Sequence, residues 1–317
     1  TDFGPKFSPS AKSRWTDKET VETQTQFKAI HVYGSQWSIS NIKAGLWQDV
    51  QLRFTKPIYF EHILIDPQID SASLNVRYQL LNTTKQVKKV HVTPVVISAM
   101  KDEDRRNIAG RDAVTLELQP GRNTGSFTIQ LQSPRFWSPD TPLLYDLAVC
   151  LTENQNTIAM GTERFGYRQF QRRGNQFYLN GKRIYLYGEN IQSVRMGGFG
   201  KGLEAEKQKF ASMLQTFKSQ GYNIIRSAHM PFIQTLDVFD EMGMMLFNEW
   251  GWSFTKDIDE QLYEQHNLKE ITQWVHRDYN HPSVVMWSMG NEIKFGERPE
   301  VKRQMEKQVQ HVRKLDT

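Results

Sequence analysis

Several features are scarce in the sequence, and each scarcity excludes a class of protein. Cys150 is the single cysteine, so the chain forms no intramolecular disulfide and is not a small disulfide-stapled domain. No stretch approaches the roughly 18 consecutive apolar residues that a membrane-spanning helix needs. We therefore expect a chain without a membrane span.

The sequence has neither a large excess of one charge sign nor a phosphate-binding motif. The 40 basic and 35 acidic residues leave a net charge of +5, and the densest basic run, at 85–89, has no interleaved aromatic residues. We interpret this run as a solvated edge of a β-domain and expect no nucleic acid partner. The glycine-rich stretch at 197–202 lacks the Lys-Ser/Thr pair of a phosphate loop. Neither a metal nor a cofactor is predicted, because histidines, cysteines and carboxylates show no ligand spacing.

The sequence divides into three regions that differ in composition and in their pattern of apolar residues. Residues 1–50 are polar and have few strand-length apolar runs, so they cannot build a core alone. Residues 51–172 hold about seven short segments with turn residues between them, which is typical of an antiparallel β-sandwich. The segment at 74–80 shows the alternation best, since apolar and polar residues follow one another along its length.

Residues 173–317 alternate strands with helices. Asn180-Gly181 predicts a two-residue hairpin turn between strands at 177–179 and 183–186. The predicted helices cover about 204–220, 232–242, 260–279 and the stretch from Pro299 onward, and the predicted strands between them cover 222–226, 244–247 and 284–287. Strands that are apolar on both faces belong to parallel sheets covered by helices. The order fits a doubly wound sheet or a (β/α) barrel, and we favour the barrel because no dinucleotide-binding motif opens a helix.

Polar side chains follow four consecutive apolar strands, at the point where each strand ends. They are Glu189-Asn190, Arg226 with His229, Asn248-Glu249 and Asn291-Glu292. In a barrel the reactive groups lie at the C-terminal ends of the strands. The repetition therefore predicts an active site at one edge of the sheet.

Two glutamates are candidates for acid–base chemistry. Glu292 follows an apolar and aromatic strand, where a carboxyl group has a raised pKa and can donate a proton, as glycosidic bond cleavage requires. The alternative is a glutamate that caps the next helix. Glu249 lies at the end of the preceding strand, and adjacent strands lie about 4.8 Å apart, so the two carboxylates would lie on the same side of the pocket. A retaining pair instead flanks the sugar at about 5–5.5 Å. We therefore predict a binding or pKa-tuning role for Glu249.

The remaining candidates each have two interpretations. Arg226 holds a carboxylate or a sugar hydroxyl by its guanidinium fork, or else pairs with an acid for folding. His229 binds a hydroxyl or is a satisfied loop histidine. Trp250 and Trp252 stack on a sugar ring or pack in the barrel mouth.

Five motifs follow one another along the chain in the same order as in a known family, and they carry a resemblance to it. They occupy 45–50, 137–145, 165–168 with 177–182, 226–231, and 280–292. In that order they resemble the end of the N-terminal sandwich, the end of the immunoglobulin-like domain, the lead-in to the barrel, the R-T-S-H-Y-P motif and the acid/base signature of glycoside hydrolase family 2. This is the family of β-galactosidases, β-glucuronidases and β-mannosidases.

The resemblance implies a multidomain β plus α/β architecture. Residues 1–50 would be the remnant of an N-terminal sugar-binding β-sandwich, 51–172 an immunoglobulin-like β-sandwich, and 173–317 the first half of a (β/α)8 TIM barrel. It implies a retaining exo-β-glycosidase, β-galactosidase-like, that hydrolyses terminal β-linked sugars by double displacement with Glu292 as acid/base. Asn291 would bond the sugar 2-hydroxyl, and Arg226, His229 and Asn190 would line the pocket.

The sequence also departs from the family pattern. Ser253 and Thr255 stand where some members have the Glu and His that bind magnesium, which removes the case for that metal and weakens the case for galactose. The family's nucleophile lies near the end of the seventh barrel strand, so we expect a fragment of a longer enzyme whose nucleophile lies beyond this chain. The alternative is a non-catalytic carbohydrate-binding protein on a degenerate glycosidase fold.

The predicted partner is an oligosaccharide or glycoside substrate. A homo-oligomer is compatible with the sequence. A periplasmic or extracellular location is favoured over a cytoplasmic one, while the sugar and the linkage stay open.

Overall fold

The computed structural model describes residues 54–99, 106–110, 114–191, 203–227, 231, 233–250, 260–291 and 299–316. The predicted remnant at 1–50, and the candidates His229, Trp252 and Glu292, lie outside the described residues. Within those residues, no helix has the length and apolar character needed to cross a membrane.

In the described residues of the first domain, seven antiparallel strands form two sheets. One sheet has the order β1-β2-β5 and the other β4-β3-β6-β7, where the strands are β1 (Ile58–Gln68), β2 (Ser73–Asn82), β3 (Lys88–Ser98), β4 (Val114–Leu118), β5 (Gly121–Gln130), β6 (Tyr145–Glu153) and β7 (Asn156–Phe165). This arrangement confirms the predicted immunoglobulin-like sandwich.

The core of the sandwich follows from the period-two alternation of its strands. In β6, Tyr145, Leu147, Val149 and Leu151 are buried and the residues between them are more exposed. Burying each aliphatic side chain of this kind contributes roughly 1.5–3 kcal/mol. The same alternation that predicted strands in the sequence therefore supplies the packing that holds the sheets together.

A small antiparallel sheet leads from the sandwich into the second domain. Its order is β10-β9-β8, with β8 (Phe170–Arg173), β9 (Gln176–Leu179) and β10 (Lys182–Ile184). Asn180 and Gly181 have φ angles of 50° and 76°, the left-handed pair that a type I′ hairpin turn requires. The predicted hairpin is confirmed, whereas β8 was not predicted.

The described residues of the second domain form four parallel strands and four helices. The sheet has the order β11-β12-β13-β14, and the chain runs β11 (Gly188–Ile191), α1 (Leu203–Ser219), β12 (Ile224–Ser227), α2 (Ile233–Met242), β13 (Met245–Glu249), α3 (Glu260–Asp278), β14 (Val284–Ser288) and α4 (Pro299–Leu315). Sequential parallel strands joined by helices are the start of a TIM barrel, as predicted.

The first parallel strand differs from the prediction. Glu189 and Asn190 were expected beyond the end of a strand at 183–186, yet β10 ends at Ile184 and both residues lie inside the separate strand β11. Gly188 permits this entry into the sheet, because a Cβ at that position would lie 1.9 Å from the carbonyl oxygen of Ile224. The sequence signal is weak because β11 contains only one apolar side chain, Ile191.

The sandwich holds the beginning of β14 in place. Arg168 donates from Nε to the Pro282 carbonyl at 3.0 Å and from Nη2 to the Val284 carbonyl at 2.6 Å. The buried Trp137 donates from Nε1 to the Asp240 carbonyl at 3.0 Å. Because its start is clamped against the first domain, β14 presents its C-terminal end at a defined position on the opposite edge of the sheet.

Candidate active site

The parallel register brings the predicted candidates to one edge of the sheet. Asn190 in β11 lies beside Arg226 in β12, and Glu249 in β13 lies beside Ser288 in β14. Asn291 follows β14 by three residues in the sequence. Carboxyl ends of neighbouring parallel strands meet at the same edge, so residues far apart in the chain become neighbours.

Arg226 contacts residues from the other three strand ends. Its Nη1 donates to Asn190 Oδ1 at 2.6 Å, and its Nη2 donates to Asn291 Oδ1 at 2.8 Å. Its Nε and Nη2 donate to Glu249 Oε2 at 3.1 and 2.5 Å. The planar guanidinium has five donors in a fixed fork, which suits it to hold several acceptors in one orientation. The structure shows Arg226 paired with the acid Glu249, and its contact with a sugar hydroxyl stays a prediction.

Glu249 is completely buried, with a side-chain exposure of 0%. Burying a carboxylate is costly unless it is paired and hydrogen-bonded, and Arg226 supplies the opposite charge. Ser288 Oγ donates to the same Oε2 at 2.9 Å, and the Glu249 amide donates to Ser227 Oγ at 3.3 Å. These partners fix the carboxylate beside Arg226.

Ser288 was not among the predicted candidates. It is the last residue of β14, and a hydroxyl that ends an otherwise apolar strand is the signal that could have identified it. The hydrogen bond to Glu249 joins β13 and β14 through side chains at the edge where the candidates meet.

The surroundings of Trp250 favour packing over sugar stacking. Trp250 is 3% exposed, and it belongs to a buried apolar cluster with Ile271 and Trp274 of α3 and Val301 of α4. Its indole N–H donates to Asn267 Oδ1 at 3.2 Å, and its ring lies 5.3 Å from that of Trp274. Successive side chains point to opposite faces of a strand, so Trp250 faces the helices while Glu249 faces the other side.

A second buried ion pair lies on the helix side of β13 and was not predicted. Asp278 is 0% exposed and binds the side chain of Arg277, whose Nη2 lies 2.7 Å from Asp278 Oδ2. Asn248 donates from Nδ2 to Asp278 Oδ2 at 2.7 Å. Arg277 Nη2 also donates to the carbonyl of Pro231 at 3.2 Å, which ties the end of α3 to the segment between β12 and α2.

Potential metal ligands are dispersed in the described part of the chain. No group of three histidine, cysteine, aspartate or glutamate side chains there is placed to hold a metal ion. Among the residues that the structure describes, the side chains that meet at this edge of the sheet are the Arg226–Glu249 pair, the amides of Asn190 and Asn291, and the Ser288 hydroxyl.

Comparisons with known protein families match nearly all of the described chain. The sequence model of the glycosyl hydrolases family 2 TIM barrel domain matches residues 170–317. A second model, of glycosyl hydrolases family 2, matches residues 58–168.

Curated relatives are longer than this chain. A β-galactosidase of Bacteroides ovatus is 29% identical over 264 residues, which are 78% of this chain and 30% of the relative. A putative β-glucuronidase of Formosa agariphila is 30% identical over 167 residues, 51% of this chain and 20% of the relative. The chain thus spans less than a third of either relative.

Solved structures share the fold. A glycosyl hydrolase family 2 member from Bacteroides cellulosilyticus superposes with a TM-score of 0.70 at 26% identity, covering 83% of this chain and 36% of that one. A β-galacturonidase from Eisenbergiella tayi, bound to galacturonate, has a TM-score of 0.68 at 19% identity, with 83% and 46% covered. The second likeness concerns the fold alone.

Proposed function

This chain belongs to glycoside hydrolase family 2, and we propose that the protein it represents is a retaining exo-β-glycosidase with Glu292 as its general acid/base. The substrate in this proposal is a glycoside with a terminal β-linked sugar, and β-galactosidase-like activity is its first form. The names of the relatives support both a galactosidase and a glucuronidase, so the sugar is an object of the test.

The observation that carries the proposal is the position of Asn291. Its Oδ1 accepts a hydrogen bond from Arg226 at 2.8 Å, so the amide NH2 group is the end of the side chain that can donate to a sugar. Asn291 immediately precedes Glu292 in the sequence. Arg226 therefore orients the residue that would bond the sugar 2-hydroxyl, one position before the proposed acid/base.

In this mechanism Glu292 has two successive tasks. It first protonates the glycosidic oxygen while a second carboxylate attacks the sugar, forming a covalent glycosyl-enzyme intermediate. It then removes a proton from the water that hydrolyses this intermediate. Glu249 is unsuited to the nucleophilic role, because its carboxylate is buried and bound to Arg226 and Ser288. The nucleophile is the second carboxylate that the family resemblance places on a later barrel strand.

The test uses the full-length protein and a panel of 4-nitrophenyl β-glycosides that includes the galactoside and the glucuronide. We expect turnover of at least one, and we expect Glu292→Gln to lower kcat/KM by about 10²–10⁴-fold, the usual contribution of general acid–base catalysis. The loss should be smaller for the 2,4-dinitrophenyl glycoside of the same sugar, because a good leaving group departs with little protonation. Glu117→Gln, on the sandwich strand β4, is the control and should retain activity.

The alternative is a non-catalytic carbohydrate-binding protein on the same fold. Tight binding of a sugar by the intact protein, without turnover of any glycoside in the panel, would favour that alternative and reject the glycosidase. Equal losses for both leaving groups in Glu292→Gln would reject the acid/base assignment while leaving the hydrolase in place.

A further inference from the structure

One oxygen of the Glu249 carboxylate is occupied by protein donors, and the whole side chain is buried. Its Oε2 accepts from Arg226 Nε at 3.1 Å, from Arg226 Nη2 at 2.5 Å and from Ser288 Oγ at 2.9 Å. The side chain has 0% exposure. A residue that binds sugar hydroxyls directly has to present an oxygen to the pocket, and this oxygen faces its own strand neighbours instead.

We propose that Glu249 and Ser288 are positioning residues that orient Arg226 and, through it, Asn291. This inference rests on the proposed function and deepens it. It replaces the predicted sugar-binding role of Glu249 with an indirect role that acts on the contact between Asn291 and the sugar 2-hydroxyl.

The geometry of the guanidinium explains how the effect is transmitted. Glu249 accepts hydrogen bonds from Nε and from one Nη2 proton of Arg226. Nη1 then donates to Asn190, and the other Nη2 proton donates to Asn291. The fork is rigid and planar, so anchoring one edge fixes the other donors. Without the carboxylate, Arg226 would be an unpaired cation with 29% of its side chain exposed, and it would turn toward water.

Ser288 holds the Glu249 carboxylate in place. Glu249 and Ser288 are register partners in the parallel pair β13–β14, so the hydroxyl reaches Oε2 from a neighbouring strand whose start is clamped by Arg168. The position of the carboxylate is therefore set by two strands together.

The pair Asp278–Arg277 provides a matched control. It is also a fully buried carboxylate bound by an arginine, and it lies on the other face of β13 through Asn248. In the described part of the chain its partners are Asn248 and Pro231, with no hydrogen bond to Asn190 or Asn291. Its loss should affect stability like the loss of Glu249, without acting on Arg226.

In the experiment, each variant of the full-length protein is assayed with two substrates. These are the 4-nitrophenyl β-glycoside that the wild type hydrolyses and its 2-deoxy analogue, which lacks the hydroxyl that Asn291 would bond. We expect Glu249→Gln to lower kcat/KM by about 100-fold on the parent and by about tenfold or less on the 2-deoxy substrate, as charge-assisted contacts are the strong ones. Ser288→Ala should show the same pattern at about three- to tenfold, because it removes one neutral donor.

Asp278→Asn should lower kcat/KM by the same factor on both substrates. Equal factors for Glu249→Gln on the two substrates would overturn the positioning role, since an indirect effect through Asn291 needs the 2-hydroxyl. A rise in KM alone, with kcat unchanged, would restore Glu249 as a direct sugar ligand.

A crystal structure of the Glu249→Gln variant gives a readout that does not depend on turnover. We expect Arg226 to have left Asn291, and an unchanged bond between Arg226 Nη2 and Asn291 Oδ1 would overturn the inference. A wild-type protein that hydrolyses no glycoside would overturn the proposed function, and this structure would then decide the positioning role by itself.

Discussion

The sandwich and the second domain bury different kinds of side chain. Buried polar residues of the sandwich strands are neutral, namely Ser73, Asn82 and Ser98, whereas the second domain buries the acids Asp240, Glu249 and Asp278. Each of these carboxylates has a cationic or hydrogen-bonding partner. Buried carboxylates are expensive even when paired, so the second domain gives up stability for positioned charge, while the first is held by apolar packing.

Two arginine–glutamate pairs show the same contrast. Arg122–Glu61 crosses the surface of the sandwich at 2.8 Å with the arginine 61% exposed, and Arg226–Glu249 lies at the sheet edge at 2.5 Å with the glutamate fully buried. The distances are similar and the surroundings are not. Water and salt screen the first pair, whereas the partly buried second pair is screened much less.

The largest expected effect tests the sandwich core. Leu147→Ala removes a side chain with 0% exposure and should lower the free energy of unfolding by about 2–5 kcal/mol, as measured by urea denaturation. Met160→Ala, at 59% exposure on the neighbouring strand β7, is the control and should change it by less than about 0.5 kcal/mol. If folded Leu147→Ala protein also lost kcat, the sandwich would shape the site and the contrast would break.

An intermediate effect is expected where the two domains meet. The His276 ring lies 4.8 Å from that of His62, and burial, followed by His62, Arg77 and His311, lowers the pKa of His276 to about 4. Because the folded pKa lies below the unfolded one, the contribution to stability is complete above pH 6.5 and is lost as the pH falls toward about 4. His276→Gln should therefore flatten the decline of unfolding free energy in that interval.

Two features make this titration specific. The exposed Thr93 on the sandwich strand β3 carries no titratable group, so Thr93→Ala is the control and should leave the decline unchanged. Part of the decline should persist in His276→Gln, since burial also lowers the pKa values of His62 and His311. An identical pH profile for wild type and His276→Gln would show that His276 does not contribute to the decline.

The smallest effect is expected at the exposed pair. Hydrogen bonds from Arg122 and Gln79 lower the pKa of Glu61 to about 2, yet Arg122→Ala should change the free energy of unfolding very little, because surface pairs contribute little. The difference from wild type should disappear at about 1 M salt. A larger, salt-independent cost would contradict the contrast between the two pairs.

Local patterns predicted most of the fold. The helix at 299–315 followed from Pro299 and the spacing of its apolar residues, and Asn180-Gly181 predicted the hairpin. The strands β8 and β11 were missed or misplaced because they are short and carry few apolar side chains. For Trp250, sequence offered stacking and packing equally, and only its neighbours Asn267 and Trp274 favour packing.

The sequence by itself determined the kinds of element, their order and the set of polar residues that follow apolar strands, because periodicity and turn chemistry act over a few neighbouring residues. The tertiary structure decided which of those residues meet. Arg226 joins Asn190, Glu249 and Asn291, and Ser288, which was not predicted, joins Glu249 across the two neighbouring strands. Such contacts depend on the register between strands that are separated by whole helices, and register is a property of the packed sheet.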